Sequence, residues 1–316
     1  MQPGKYRSAI YETLEAKVSR KDLDLALGIL YQMGLGSSEV KKGRGRPQLR
    51  IQIPARRRGS AIRRQLKDWE KRLGRSLFHQ LKLRREGRGT WADPYEKHLK
   101  PFRLFPPQFR KFMPDLWIDP RGKIPAQPRE DTLYIGAGLA FGTGTHSTTR
   151  LAAGALAESL TAMPQASVLD VGCGTGILSM VAKKLGAKKI AAVDNDPEAL
   201  RVARENLKCN RIRKVSLHSD LSSVPGRFAV IVGNIGLNAL TELAPALKAK
   251  LASGGRLILT GLLYRDAAEL KKAYLGHRLV ERRNRRGWTL LIFSGMRRKS
   301  IRLRKRRARR RVPKAN

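Results

Sequence analysis

Residues 168–176 read Val168-Leu-Asp-Val-Gly-Cys-Gly-Thr-Gly176, a short buried-strand pattern that runs into three glycines at every second position. Gly172, Gly174 and Gly176 carry no β-carbon, so a turn built from them lets the backbone come directly against a ligand. Downstream, short apolar runs alternate with helical ones. Strands are predicted over Val168 to Val171, Ile190 to Val193, Val215 to His218, Ala229 to Val232 and Leu257 to Thr260. Helices are predicted over Ile177 to Leu185, Pro197 to Lys208 and Leu237 to Leu251, the second capped by Asp196 with Pro197 in its first turn and the third stopped by Gly254 and Gly255. That alternation gives an α/β fold, Rossmann-like, with a mostly parallel sheet covered on both faces. The runs Arg278 to Arg283 and Trp288 to Ser294 add an antiparallel hairpin at the sheet edge.

Upstream the pattern changes. A helix around Leu23 to Met33, a strand near Gln48 to Ile53 and a helix near Ala61 to Leu73 predict a small α+β domain over residues 1–90. Residues 91–130 hold Pro94, Pro101, Pro106, Pro107, Pro114, Pro120, Pro125 and Pro128 and read as an interdomain linker, with Trp91, Tyr95, Phe102 and Trp117 as buried anchors. Residues 131–296 form the α/β domain. Residues 297–316 carry 12 basic and no acidic residues, a density that cannot pack, and are expected to be a disordered basic tail.

The whole chain of 316 residues carries 66 Lys and Arg against 25 Asp and Glu, a net charge of +41, which calls for a polyanionic neighbour, RNA first. Residues 41–90, with 18 basic and 3 acidic residues, include Arg56, Arg57, Arg58, Arg63, Arg64, Arg84 and Arg85 and form a phosphate-facing candidate. Two cysteines, Cys173 and Cys209, exclude a disulfide framework and a four-thiolate zinc site. His79, His98, His218 and His277 show no ligand spacing, so no metal is expected. No apolar run reaches the about 18 residues of a membrane span, and residues 1–30, with Glu12, Glu15 and Asp22, do not read as a signal peptide. A cytoplasmic monomer is expected.

The glycine spacing departs from the G-x-G-x-x-G of dinucleotide folds and, with Asp170 preceding it, resembles the S-adenosylmethionine loop. Asp194 closes the next strand, where a carboxylate accepts from both ribose hydroxyls; Asp170 would face the amino-acid end of the cofactor. Leu139-Ala-Phe-Gly-Thr-Gly-Thr-His-Ser-Thr-Thr149 suits a loop that wraps a polar ligand, and Gly233-Asn-Ile-Gly236 ends the fourth strand at the ligand-binding edge. His146 is read as ordering its loop through hydrogen bonds, and Cys173 and Cys209 as small apolar fillers.

From about Trp91 to Arg297 the chain resembles the PrmA family, the ribosomal protein L-eleven methyltransferases. The likeness rests on TWADPYEKHLKPFRLF, DLWIDP, GLAFGTGTHSTT, VLDVGCGTGILSMVAKKLGAKKIAAVDNDPEAL and GRLILTGLL. It implies a class I S-adenosylmethionine-dependent methyltransferase that N-methylates amino groups, lysine side chains and the N-terminal amine, of a large-subunit ribosomal protein. It also implies cofactor binding by Thr149, Gly172, Gly174, Asp194 and Asn234, the last beside the reacting methyl, and an N-terminal domain that recognises the protein substrate. No catalytic base is implied. The chain departs from the family pattern at Asn234-Ile235-Gly236, usually N-I-L, and at Gly136-Ala137-Gly138, usually D-P-G. Two rivals share the fold: an rRNA N-methyltransferase, which the charge favours but which usually carries N-P-P-Y or D-P-P-Y at the fourth strand, and a non-catalytic ribosome assembly or RNA-binding factor.

Overall fold

The structure is a computed structural model that describes residues 11–33, 35, 38–41, 45–53, 58–86, 100–105, 115–122, 124–136 and 144–295. The expected basic tail, Trp91, Tyr95, Arg56, Arg57 and the first half of the threonine-rich loop lie outside these residues.

The N-terminal unit runs β1 (Tyr11–Lys17), α1 (Leu23–Gln32), β2 (Ser38–Lys41), β3 (Gln48–Ile53), α2 (Gly59–Leu73) and β4 (His79–Glu86). Its antiparallel sheet has the order β2-β3-β1-β4, a split βαββαβ arrangement. The α+β expectation matches, but β1, β2 and β4 were not legible. In β4, His-Gln-Leu-Lys-Leu-Arg-Arg-Glu, only two apolar residues break a basic run. The partners that hold it are remote: Arg84 pairs with Glu15 at 3.0 Å and Arg85 with Glu12 at 3.7 Å, both on β1. Part of the basic patch is therefore answered by acids of the same sheet.

The described part of the proline-rich segment differs from a free crossing. Its β5 (Phe102–Arg103) and β6 (Trp117–Asp119) make a three-stranded sheet with β7 (Thr132–Tyr134), which lies just past it. Leu104, Phe105, Leu116, Ile118, Leu133 and Ile135 are buried within the core of the large sheet, so apolar residues between the prolines pin the segment down. Asn210 clamps its end, receiving the Tyr134 N–H at 2.8 Å and donating to the Tyr134 carbonyl at 2.7 Å. Phe102 and Trp117 are half-buried, and the Arg103 guanidinium lies 5.2 Å from the Trp117 ring centroid.

Beyond it come α3 (Ser147–Ala162), β8 (Ser167–Val171), α4 (Ile177–Lys184), β9 (Lys189–Val193), α5 (Pro197–Cys209), β10 (Val215–His218), β11 (Phe228–Asn234), α6 (Leu237–Glu242), α7 (Ala244–Lys250), β12 (Leu251–Leu263), α8 (Ala267–Ala273), β13 (Arg278–Arg285) and β14 (Trp288–Ser294). The seven-stranded sheet has the order β10-β9-β8-β11-β12-β14-β13. β8 to β12 run parallel, and β14 pairs antiparallel with both β12 and β13. This is the predicted mostly parallel sheet with its edge hairpin. One face packs on α3 and α4, the other on α6, α7 and α8.

Three local expectations need correction. α3 lies where the Thr and Gly before it read as loop; seven of the ten residues Leu151 to Leu160 are Ala or Leu, good helix formers, and most of the helix is buried. The predicted helix Leu237 to Leu251 breaks at Leu243, where Pro245 opens a new first turn. Gly254 and Gly255 do not stop a helix: they lie inside β12, where the pairing slips from Phe228–Leu251 to Val230–Arg256. A β-carbon at Gly255 would stand 2.8 Å from the Ala229 carbonyl oxygen, so the slip needs glycine there.

The two units share a core. Trp288 and Leu263 are buried among Ile29, Leu30, Leu49 and Ile62 of the N-terminal unit. At the joint, a β-carbon on Gly28 would lie 2.1 Å from Trp288 Cζ2 and 2.5 Å from His146 Nε2. Gly28→Ala is therefore expected to lower stability by about 1–3 kcal/mol through overpacking. It should also raise protease cleavage between the units at temperatures where the parent resists. An unchanged melting temperature and digestion pattern would show that α1 does not dock as described.

Candidate active site

Four segments meet at the carboxyl edge of the large sheet. After β8 the chain takes Gly172, Gly174 and Gly176 at φ +68°, +53° and +78°, a region in which side chains are strained. The Gly172 N–H donates to the Val193 carbonyl at 2.8 Å, which folds the turn onto the end of β9. A β-carbon on Gly172 would fall 2.1 Å from Ile235 Cγ2, so the turn and the segment after β11 approach closely only because residue 172 is bare.

Asp194, just past β9, is tied to that turn. Its Oδ2 accepts from the Gly174 N–H at 2.9 Å and its Oδ1 from the Asp196 N–H at 3.0 Å. Burial pushes its carboxyl above the usual range, opposed by these two backbone donors. Each oxygen keeps a second lone pair for a ligand hydroxyl. Asp196, as predicted, caps α5 by accepting from the Glu198 N–H.

Asp170 is fully buried at the end of β8. Its Oδ2 accepts from the Ser179 N–H at 2.9 Å and from Ser179 Oγ at 2.7 Å, while Oδ1 has no hydrogen-bond partner among the described residues. Burial pushes this carboxyl up to about 7 against the two Ser179 donors. An orphaned carboxylate oxygen in such a place is costly unless a donor arrives.

Asn234 ends β11 and donates from Nδ2 to Thr149 Oγ1 at 3.3 Å, both residues being buried. Thr149 does not stand in a loop: Ser147, Thr148 and Thr149 form the first turn of α3. Residues 137–143 of the predicted wrapping loop lie outside the described residues. All five predicted binding residues, Thr149, Gly172, Gly174, Asp194 and Asn234, thus converge, as two hydrogen-bonded pairs joined by the Gly172–Ile235 contact. Gly236 takes φ −65° as the cap of α6, so its departure from the family pattern is not demanded by the backbone.

His146 orders this corner across the joint between the units. The Asp24 carbonyl can only accept, so His146 Nε2, 2.9 Å away, carries the proton and Nδ1 accepts from Thr148 Oγ1 at 2.7 Å. Burial holds the imidazole below its usual range, hence neutral, despite the nearby Asp24 carboxylate. Asp24 Oδ1 also accepts from the Ser147 N–H at 3.2 Å. Asp24 carried no signal in the sequence; only the packing of α1 on α3 brings it here.

Cys173 is buried and its thiol is pushed up by burial, which leaves it protonated and unsuited to nucleophilic work. The half-buried Cys209 has its thiol pushed up by burial and sits 3.7 Å from the Gly122 carbonyl. Among the described residues no three His, Cys, Asp or Glu side chains group as a metal site, and no helix is long and apolar enough to cross a membrane.

The family model of "Ribosomal protein L11 methyltransferase (PrmA)" matches residues 58–295, reaching further towards the N-terminus than the motifs do. Curated ribosomal protein L11 methyltransferases from Geobacter metallireducens and Citrifermentans bemidjiense are 36% and 38% identical over 210 and 209 residues, 64% of this chain in each case. The chain spans 65% and 66% of the length of these two relatives. A solved ribosomal protein L11 methylase from Lactobacillus delbrueckii subsp. bulgaricus is 30% identical, with a TM-score of 0.53, covering 58% of this chain and 97% of that one. The match across both the glycine turn and the Asn234 segment shows that the chain belongs to the ribosomal protein L11 methyltransferase (PrmA) family.

Proposed function

We propose that this chain is an S-adenosylmethionine-dependent protein methyltransferase that N-methylates amino groups of ribosomal protein L11. The observation that carries the reading is the paired arrangement at the sheet edge: a glycine turn anchored on Asp194, facing an Asn234 amide that is held by Thr149 and keeps its oxygen for an incoming amine. The residues fit the cofactor on two counts. The left-handed Gly172 and Gly174 fold the turn so that its backbone faces the pocket, and the orphaned Asp170 oxygen awaits a donor such as the cofactor's ammonium.

Bound S-adenosylmethionine supplies a sulfonium methyl group open to in-line displacement. The protein's task is then alignment and exclusion of water. Asp194 accepts from the ribose hydroxyls, and Asp170 accepts from the amino-acid end. Asn234 Oδ1 accepts a hydrogen of the substrate amine, aiming its lone pair. A lysine amine has an ordinary pKa near 10.4, so it sheds its proton on desolvation or to solvent, and no side chain of the site serves as base. The N-terminal unit, docked on α3 through Asp24 and His146, presents the protein substrate, and a ribosomal-protein substrate places the reaction in the cytoplasm.

Labelled S-adenosylmethionine offered together with ribosomes, free ribosomal proteins and naked rRNA tests the reading. Label is expected in the L11 protein; label in rRNA would make the chain an RNA methyltransferase, and no label anywhere would remove the enzymatic assignment.

The raised Asp170 carboxyl adds a pH signature. Its folded value, about 7, lies above the 3.8 of an ordinary aspartate. The group therefore favours the fold at low pH and costs stability as pH rises from about 4 to about 7. A ligand ammonium reverses this by favouring the ionised form. Affinity for S-adenosylmethionine is expected to climb towards pH 7 and level off above it, with proton release on binding below pH 7 in calorimetry. Asp170→Asn should flatten that profile; a parent profile that is flat from pH 5.5 to 8 would reject the ammonium contact.

A further inference from the structure

The seven-stranded sheet has a second charged surface that methyl transfer does not use. Between the second half of α5 and the edge strand β10 lies an open cleft of about 850 Å³. Arg204, Lys208, Arg211, Arg213 and Lys214 line it, and no acidic residue does. All five are exposed, and among the described residues none has an ion-pair partner. The contrast within α5 is sharp: Arg201 is clamped by Glu198 at 2.6 Å and Glu205 at 2.5 Å, whereas Arg204 and Lys208, one helical turn apart on the cleft side, have no carboxylate.

The backbone points the same way. Arg211 and Lys214 both adopt left-handed conformations, φ +54° and +64°, that favour glycine or asparagine. Arg211 follows α5 at the position where helices commonly end on glycine, with its N–H on the Lys208 carbonyl at 3.0 Å and the Ile212 N–H on the Leu207 carbonyl at 2.9 Å. Two turn positions of the cleft thus hold cations in conformations that favour glycine.

We infer that this cleft binds a single strand of RNA through its phosphates. Guanidinium forks match phosphate oxygens, and three of the five cations are arginines. The lining contains no aromatic ring on which a base would stack, so recognition is of backbone and indifferent to sequence. A net charge of +41 on the chain fits a polyanion such as RNA better than a patch of carboxylates on a protein. The choice of RNA as the polymer rests on the proposed ribosomal substrate; the site itself does not, since it lies at the outer edge of β10, two strands away from the glycine turn.

The test is binding of a short mixed-sequence single-stranded RNA to the full chain across a salt series. Arg211→Gly with Lys214→Gly removes two charges and relaxes both strained turn residues, so its melting temperature should equal or exceed that of the parent. At about 0.7 counterions per phosphate contact, the slope of log affinity against log salt should fall by about 1.4. Lys271→Gln with Lys272→Gln, on α8, removes the same charge and should leave the slope within about 0.3 of the parent. Methylation of free L11 protein should be unchanged in both variants, which separates this inference from the proposed activity. Equal slope losses in the two variants, or none in the glycine pair, would overturn it, as would tighter binding of an acidic peptide than of the RNA at the same cleft.

Discussion

Asp194→Ala is expected to abolish measurable binding of S-adenosylmethionine. In the folded chain the Asp194 carboxylate receives the Gly174 and Asp196 amides, and on the proposed reading its remaining lone pairs receive the ribose hydroxyls. Alanine removes two charge-assisted hydrogen bonds to the ligand, each worth about 1.5–3 kcal/mol, which corresponds to about two to four orders of magnitude in affinity. It also releases the Gly174 N–H, so the turn loses the contact that sets its shape. Asp194→Asn should fall between, keeping one acceptor and losing the charge. Titration calorimetry on folded protein, with circular dichroism as control, reads both. A dissociation constant within threefold of the parent in Asp194→Ala would mean that the ligand lies elsewhere.

The second large effect separates binding from turnover. Asn234→Ala leaves the glycine turn and Asp194 intact, so affinity for the cofactor should stay within about threefold. The loss falls on alignment of the amine: with no amide oxygen to accept its hydrogen, and with the Thr149 hydroxyl left to turn, kcat should drop by about 10²–10³-fold. Thr149→Val probes the same pair from the other side. It keeps the amide but removes the oxygen that holds Nδ2 at 3.3 Å, and a smaller fall in kcat is expected. If Asn234→Ala loses cofactor affinity by the same factor as turnover, the residue is part of the cofactor cradle and not of the amine's.

Much of this site could be read from the sequence because its chemistry is local. Three glycines at alternate positions after Val168 to Val171 specify a turn, whatever the rest of the chain does, and the acids at 170 and 194 stand at strand ends by count alone. The same holds for Asp196 with Pro197 as a helix start. What could not be read depends on partners far away in the chain. β1 and β4 pair residues about seventy positions apart, with Glu15 meeting Arg84 and Glu12 meeting Arg85 across the ladder. Gly254 and Gly255 carry the signature of a helix stop, and only the neighbouring Phe228–Val230 stretch turns them into a strand irregularity. The Asp24–His146 contact joins residues 122 positions apart and has no motif at all.

The place of β14 has a consequence for how the chain matures. It is the last strand among the described residues, yet it lies between β12 and β13, and its first residue, Trp288, fills the core under α1. During synthesis the glycine turn and Asn234 emerge long before it, on a sheet whose β12 is still an open, apolar margin. That margin pairs with any extended strand that reaches it, so a nascent chain halted after Leu263 carries the parts of the site together with an unpaired, aggregation-prone edge. The ribosome must release residue 294 before the fold can shut, and messages cut short between the codons of residues 263 and 294 should yield insoluble protein even with every residue of the pocket translated.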